Sequence, residues 1–173
     1  ALFLELEIFF FRSMVENLMS RPPKTPLTSP QAQLKWLLHN FYLFTSSHLD
    51  LYRLVTFPPK VYSDFIGDSL EPLARIELNT ALDAIALLRK SLESAVISAG
   101  LSNLDEEAMQ RRFLFLVNAM QGLILNSHSP IFPYIASPQK ALVDNQYQHP
   151  NPEKTLSYQL DAILQSVFSP DFP

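Results

Sequence analysis

The residue types of a hydrolase triad stand together at Ser47, His48 and Asp50. In such a triad the serine attacks, the histidine takes the serine's proton, and the carboxylate orients the imidazole. Near neighbours on one short helix cannot align a nucleophile, a base and an orienting carboxylate in that way. The spacing of Ser47 and Asp50 instead matches a capping box, which closes the start of a helix. The pattern therefore predicts a short helix and not a hydrolase.

Ligands for a metal ion or a phosphate group are sparse in this chain. There is no cysteine, and none of the four histidines lies at helical metal-binding spacing from another. A phosphate-binding loop needs clustered glycines, whereas the three glycines are scattered. We therefore expect no enzyme, no cofactor and no metal site.

Composition and charge favour a single domain over residues 1–173. Apolar residues make up 47% of the chain, and a chain of 173 residues can bury a substantial core. The net charge is −4 and no basic run exceeds two residues, so the chain by itself is a poor binder of nucleic acid. The absence of cysteine fits a reducing compartment, and we expect a cytoplasmic location.

The N-terminal segment has the pattern of a helix and not of a targeting signal. Residues 1–11 are apolar, but Glu5 and Glu7 interrupt them and no basic residue precedes them, which excludes a secretory signal. The helical pattern begins at Ala1 without a capping residue. We expect that a further segment precedes Ala1 in the natural protein.

The element that must organise the chain is residues 105–127. After a charged start, only Asn118, Gln121 and Gly122 interrupt the apolar residues from 113 to 125. A helix that is apolar nearly all round must be covered on more than one side, and this one is too short and too polar to span a membrane. We predict a central helix with the core of its own chain on one side, including Phe113, Leu116 and Met120, and a partner subunit on the other.

Apolar positions at three- and four-residue spacing predict helices through the rest of the chain, and no strand pattern of useful length occurs. The predicted helices span residues 1–19, 30–45, 47–55, 61–99, 105–127 and 151–168. The positions expected to face inward in the first helix are Leu2, Leu6, Phe9, Phe10, Val15 and Leu18. The seam expected in the long helix is Leu73, Leu78, Ala81, Leu82, Ile85, Leu88, Leu92 and Val96. Ser29 is a predicted N-cap, Gly100 a left-handed C-cap, and Ser102 or Asn103 the cap of the central helix. The fold class is therefore predicted to be all-α.

The order of several stretches resembles one known family. Residues 1–6, ALFLEL, are similar to the start of that family's fourth helix, and residues 51–54, LYRL, to its short sixth helix. Residues 69–73, SLEPL, resemble the start of the seventh helix, residues 113–125 the eighth, and the last helix the ninth. Together they resemble the C-terminal domain of TetR (tetracycline-repressor) family transcriptional regulators. The family's N-terminal DNA-binding headpiece has no counterpart in this chain.

The resemblance implies a sensor and dimerisation domain. The last two long helices of each subunit would form a four-helix bundle, which gives a homodimer with two-fold symmetry. A small-molecule effector in a pocket would shift the helix at residues 1–19, which would link to the missing DNA-binding domain. Operator DNA would be bound only through that domain, because the shift changes the spacing of two DNA-reading heads.

Two sets of candidate site residues follow from this reading. Apolar, aromatic and polar residues that could line a pocket for an apolar or aromatic ligand are Phe10, Met14, Trp36, His39, Asn40, Phe65, Asn118 and Gln121. Candidates for the dimer interface are Phe115, Ala119, Gly122, Leu156, Leu160, Ile163, Leu164 and Val167. For any single aromatic residue an ordinary core position is the commoner alternative. Asn118 and Gln121 could equally form hydrogen bonds across the dimer contact, since buried amides need partners.

Two other classes of function remain open from the sequence. In the first, the chain is a stand-alone helical interaction module, and the apolar central helix receives a different protein. In the second, it carries hydrophobic small molecules in an internal cavity. No membrane partner is expected.

Overall fold

The chain is all-α over the residues that a computed structural model describes, which are 2–20, 23, 26–57, 70–129 and 152–172. The helices of these residues are α1 (Leu2–Ser20), α2 (Pro30–Ser47), α3 (Leu49–Thr56), α4 (Glu71–Ser98), α5 (Glu106–Ser127) and α6 (Pro152–Val167). The all-α prediction is thereby confirmed for this part of the chain. Phe65, the predicted helix before residue 70 and most of the connection between α5 and α6 lie outside the described residues.

The chain divides into two compact units, Ala1–Ala95 and Val96–Pro173. In the first, α1 packs against α2 and α3. In the second, α5 packs against α6. The expectation of a single domain over residues 1–173 stays a prediction.

Two helix starts show how side chains satisfy free backbone N–H groups. The Ser29 hydroxyl accepts a hydrogen bond from the N–H of Ala32, as predicted, and α2 begins at the next residue. At α5 the carboxylate of Asp105 accepts from the N–H of Ala108 at 2.7 Å. The prediction of Ser102 or Asn103 as the cap of α5 is therefore wrong, because Asp105 directly precedes the first helical residue and is the side chain within reach of that N–H.

The predicted capping box at the start of α3 is wrong, although the helix predicted there exists. Helix α2 continues to Ser47, so this serine has helical backbone and its hydroxyl donates back to the carbonyl oxygens of Leu43 and Phe44 at 3.0 and 2.9 Å. His48 occupies the N-cap position of α3 without a side-chain capping hydrogen bond. Back-bonding of this kind is common for serine in a helix.

Gly100 ends α4 in the predicted left-handed conformation, with a φ of +86°. The N–H of Gly100 donates to the carbonyl of Ile97, and the N–H of Leu101 donates to the carbonyl of Val96. This pair of bonds is a Schellman motif, which satisfies carbonyl groups at a helix end.

The helical phase of α1 differs from the predicted one by about one position. Leu2 and Phe9 were expected to face inward but are 71% and 58% exposed. The buried stripe instead includes Leu4, Ile8 and Met14, together with the predicted Phe10 and Leu18. Leu2 and Phe9 lie on the same side of the helix as the exposed charges Glu5, Arg12 and Glu16, and packing covers the opposite side.

Helix α4 buries only part of its predicted seam. Leu92 and Val96 are fully buried, as expected, whereas Leu78, Leu82 and Ile85 are 46–54% exposed. The prediction of one continuous inward seam is therefore wrong over the N-terminal part of the helix.

The core of the second unit lies between α5 and α6. Helix α5 buries one stripe, Phe113, Leu116, Met120, Leu123 and Ile124. Helix α6 buries Leu156, Leu160, Leu164 and Val167. Burying one such side chain stabilises the fold by roughly 1.5–3 kcal/mol, so this contact is the main reason that α5 and α6 stay paired. The expected core positions Phe113, Leu116 and Met120 are confirmed.

Candidate functional site

Phe10, the first predicted ligand residue, lies at the centre of an aromatic cluster in the first unit. Its ring centroid is 5.5 Å from that of Phe44 and 6.1 Å from that of Tyr52. Phe11 meets the same ring edge-on at 5.7 Å. Phe10 and Met14 are both buried on α1, so both are core residues in this structure.

Tyr52 carries the polar group of this cluster. Burial raises the pKa of the Tyr52 hydroxyl above its ordinary value of 10.0, and a hydrogen bond with Thr56 offsets part of that rise. The cluster can therefore hold a neutral phenol among its rings but disfavours a phenolate.

The other predicted ligand residues of the first unit lie on α2. Trp36 and His39 are half-buried, whereas Asn40 is buried. The amide nitrogen of Asn40 donates to the carbonyl of Trp36 at 2.8 Å, within the same helix. This bond occupies one donor of Asn40, and among the predicted ligand residues of α2 the accessible ones are the half-buried Trp36 and His39.

Asn118 and Gln121, the predicted polar ligand residues of α5, lie in the second unit. Asn118 is exposed and Gln121 is half-buried. Asn118 is accessible because the buried stripe of α5 lies on the other side of the helix, and its contact with a ligand or a second copy stays a prediction. A shared pocket formed by all eight predicted ligand residues stays a prediction.

The second unit presents an exposed surface that we call the outer face. It consists of Phe115 on α5 and of Ala162 and Gln165 on α6, which line one groove, together with Tyr158, which lies one turn before Ala162 on the same stripe of α6; all four are exposed. Tyr158 is 76% exposed. Gly122, one turn beyond Asn118, is half-buried, and a Cβ added there would meet only the side-chain nitrogen of Asn126, at 4.0 Å.

The predicted dimer residues are divided by the structure into two groups. Phe115 is exposed, and Ala119, Gly122 and Ile163 are half-buried. The second group is already covered within the chain and consists of Leu156, Leu160, Leu164 and Val167. Their placement at a contact with a second copy was an error of helical phase on α6: the accessible stripe is Tyr158, Ala162 and Gln165.

Arg112 on α5 forms hydrogen bonds to the end of α6, a role that the sequence analysis did not predict. The side chain is 2% exposed. Its two terminal nitrogens donate to the carbonyl oxygens of Val167 and Ser169, each at 3.1 Å. The guanidinium also lies over the ring of Phe172, 4.6 Å from the ring centroid. A cation at the C-terminal end of a helix interacts favourably with the helix dipole.

Burial lowers the pKa of the Arg112 guanidinium, and the neighbouring charge of Arg111 lowers it further. Arginine nevertheless stays charged at neutral pH. The sequence did contain a signal for this burial, because Arg112 precedes the buried Leu116 by one helical turn and therefore lies on the same stripe.

A groove of about 580 Å³ opens on the outer face beside this contact. Its walls come from both helices and from the chain after α6: Phe115, Ala162, Gln165, Ser166, Ser169, Asp171 and Phe172. The rings of Phe115 and Phe172 meet edge to face, with centroids 5.3 Å apart. The groove thus has apolar walls together with hydroxyl, amide and carboxylate groups.

The Ser47, His48 and Asp50 side chains do not form a triad. The Nδ1 atom of His48 lies 2.9 Å from the carbonyl oxygen of Phe44 and 3.2 Å from the Ser47 hydroxyl. The carboxylate of Asp50 pairs with Arg53 at 3.7 Å. The imidazole stacks on the ring of Phe44, 4.5 Å between centroids, so its position is part of the packing of α2.

The described part of the chain contains neither a candidate metal site nor a candidate membrane span. No group of three or more histidine, aspartate or glutamate side chains in it could hold a metal ion. None of its helices combines the length and the apolar character needed to cross a membrane.

No protein-family profile, curated protein or solved structure matches this chain. The TetR relationship implied by the sequence therefore stays a prediction.

Proposed function

We propose that the chain is the effector-sensing and dimerisation domain of a TetR-type transcriptional regulator, and that it pairs with a second copy through the outer face. The proposal rests on the ordered resemblance of its segments and on the pairing of its last two long helices. Operator DNA would be bound by a headpiece that precedes α1.

The exposed apolar side of α5 is the observation that carries the dimerisation part of the proposal. One side of this helix forms the core of the second unit, yet Leu114, Phe115 and Val117 on its other sides are 36–50% exposed. An exposed cluster of large apolar side chains is typical of a contact surface. A second copy of α5 and α6 would cover it and would complete a four-helix bundle.

The effector part of the proposal rests on the first unit. A flat, apolar ligand would enter beside the aromatic cluster of α1, α2 and α3, where Trp36 and His39 are half-buried. Ligand sites are mainly apolar, with a few polar groups that fix orientation. Movement of α1 against α2 would then transmit binding to the headpiece.

A fusion experiment tests the dimerisation function directly. A helix-turn-helix headpiece that binds its palindromic operator only as a dimer is joined to Ala1, and operator binding is measured. We expect the fusion to bind as a dimer, because each half-site needs one headpiece. A fusion whose circular dichroism shows a folded helical chain, but which binds no better than the isolated headpiece, would contradict the proposal.

Trp36 reports on the effector function, because it is the single tryptophan of the chain. Titration with a panel of aromatic and apolar compounds should give a saturable change of tryptophan emission for at least one compound. That compound should also change the operator affinity of the fusion, since coupling between two sites is reciprocal. A panel that leaves both the emission and the operator affinity unchanged would argue against effector sensing.

The exposed stripe of α4 favours the interaction module as a second candidate. Leu78, Leu82 and Ile85 recur at helical spacing and are about half exposed, and a dimer formed through the outer face does not explain them. On that alternative, the fusion above would remain a monomer.

A further inference from the structure

We propose that Tyr158 of each copy inserts into the groove of the other copy, with Ala162 at the two-fold axis. This inference rests on the proposed dimer and names the contact that it would use. The occupant of the groove is thus a side chain of a second copy of this chain.

Tyr158 is the side chain that would protrude into the other copy. It is 76% exposed, the largest exposed fraction among the exposed large hydrophobic side chains of the described residues. A large aromatic side chain held this far into solvent on a regular helix buries little of its own area. Burying it in a partner would remove roughly 150–250 Å² of surface from water.

The groove would accommodate the Tyr158 side chain of the other copy. Ala162 and Gln165 lie on the same stripe of α6 as Tyr158, one and two turns further on, and both line the groove. Phe115 and Phe172 offer aromatic walls to a tyrosine ring. The carboxylate of Asp171 lines the groove and can accept a hydrogen bond from the tyrosine hydroxyl, so both ends of the side chain would find a partner.

Two-fold symmetry would place Tyr158 of each copy opposite the groove of the other copy. In an isologous contact residue i meets residue j, and j meets i. Tyr158 and Gln165 are seven positions apart, which is about 10 Å along a helix. If two α6 helices cross in opposite directions at the midpoint of this span, Tyr158 of each faces Gln165 of the other. The midpoint lies beside Ala162, whose small side chain permits close approach of the two helices.

Arg112 keeps the groove formed before the partner arrives. Its hydrogen bonds to Val167 and Ser169 fix the chain after α6, and its guanidinium supports the ring of Phe172. A preformed site loses less conformational entropy on binding.

Engineered cysteines test the symmetry, because the natural chain has none. Ala162→Cys should form a disulfide-linked dimer under mild oxidation, since residues at the axis meet their own copies. An equal mixture of Tyr158→Cys and Gln165→Cys chains should crosslink to each other. Tyr158→Cys by itself should not, because its two copies would lie about 10 Å apart, beyond the Cα separation of roughly 4.4–6.8 Å that a disulfide allows.

Asn103→Cys mixed with Tyr158→Cys is the control for random collisions, because Asn103 is exposed but lies before α5. Crosslinking of this pair as fast as that of Tyr158→Cys with Gln165→Cys would overturn the inference. So would crosslinking of Tyr158→Cys by itself at the rate of Ala162→Cys.

Affinity supplies an independent readout. Tyr158→Ala should raise the dimer dissociation constant about tenfold or more, as for a buried aromatic anchor, whereas Tyr158→Phe should keep most of the affinity. A wild-type dimer whose dissociation constant is unchanged by Tyr158→Ala would refute the tyrosine contact and leave the dimer intact. A wild-type monomer would refute the dimer itself.

Discussion

Two carbonyl oxygens and an aromatic ring contact the guanidinium of Arg112. These contacts link α5 to the end of α6, two parts of the second unit that are distant in sequence. Removing the side chain leaves the carbonyls of Val167 and Ser169 without these donors and removes the support of Phe172. Arg111 next to it is exposed and pairs with Glu107 one turn away. Adjacent arginines therefore contribute very differently to stability.

Arg112→Ala should lower the free energy of unfolding by about 2–4 kcal/mol, since hydrogen bonds from a charged group contribute roughly 1.5–3 kcal/mol each and do not add fully. Arg111→Ala, the matched control, should cost at most about 0.5 kcal/mol, as exposed helix pairs do. Urea denaturation of both variants makes the comparison. Equal losses would show that Arg112 does not hold the end of α6.

Tyr52 should make the chain less stable in alkali. Burial raises its pKa in the folded state, so above pH 10 the unfolded chain releases this proton first and the free energy of unfolding falls as the pH rises. Below pH 10 this contribution is fully present. Tyr52→Phe should therefore reduce the slope of stability against pH above pH 10, measured by urea denaturation. An unchanged slope would contradict the burial of Tyr52.

At the scale of helices, the sequence predicted which segments are helical better than it predicted which side of each helix is buried or which residue caps it. Proline and glycine positions marked the starts of α2 and α6 and the end of α4, because these residues restrict the backbone locally. The phase of α1 was predicted wrongly because Phe9 was assigned to the core, although it lies on the same side of the helix as the exposed charges Glu5, Arg12 and Glu16. The interface residues on α6 failed for a related reason: its strongest apolar stripe was needed by α5.

The cap of α5 can be tested by comparing two residues of one loop. Asp105→Ala should cost about 1 kcal/mol of stability, because it removes the acceptor for the N–H of Ala108. Asn103→Ala, which alters a residue that was also a predicted cap, should be nearly neutral. Thermal unfolding of both variants decides between them, and a larger loss for Asn103→Ala would reverse the assignment.

Substitutions at Gly122 should affect the stability of the single chain and its self-association differently. Its added Cβ meets little within the chain, and alanine is favoured over glycine inside a helix by about 0.5–1 kcal/mol, so Gly122→Ala should stabilise the isolated chain. Gly122→Leu should also fold but should weaken self-association, because the larger side chain blocks close approach of a second copy beside the outer face. Circular dichroism and analytical ultracentrifugation provide the two readouts. Gly122→Leu chains that associate as tightly as Gly122→Ala chains would place the contact elsewhere.

At the scale of the whole molecule, the all-α class follows from the periodicity of the sequence, while the candidate site follows only in part. The sequence indicated correctly that α5 has a core side and a second, accessible apolar side. It could not indicate the groove, because the groove needs Phe115 and Phe172, which are far apart in the chain and are brought together by packing. It also could not show that Phe10 would be enclosed by Phe44 and Tyr52.

Sedimentation equilibrium at micromolar concentration tests the central claim, self-association through the outer face, most directly. The wild-type chain is expected to have twice the 19.7 kDa mass of one chain. Ala162→Arg places a long cation at an exposed helical position and should give a folded monomer. A wild-type chain that sediments as a monomer, or an Ala162→Arg chain that remains as dimeric as the wild type, would contradict the account.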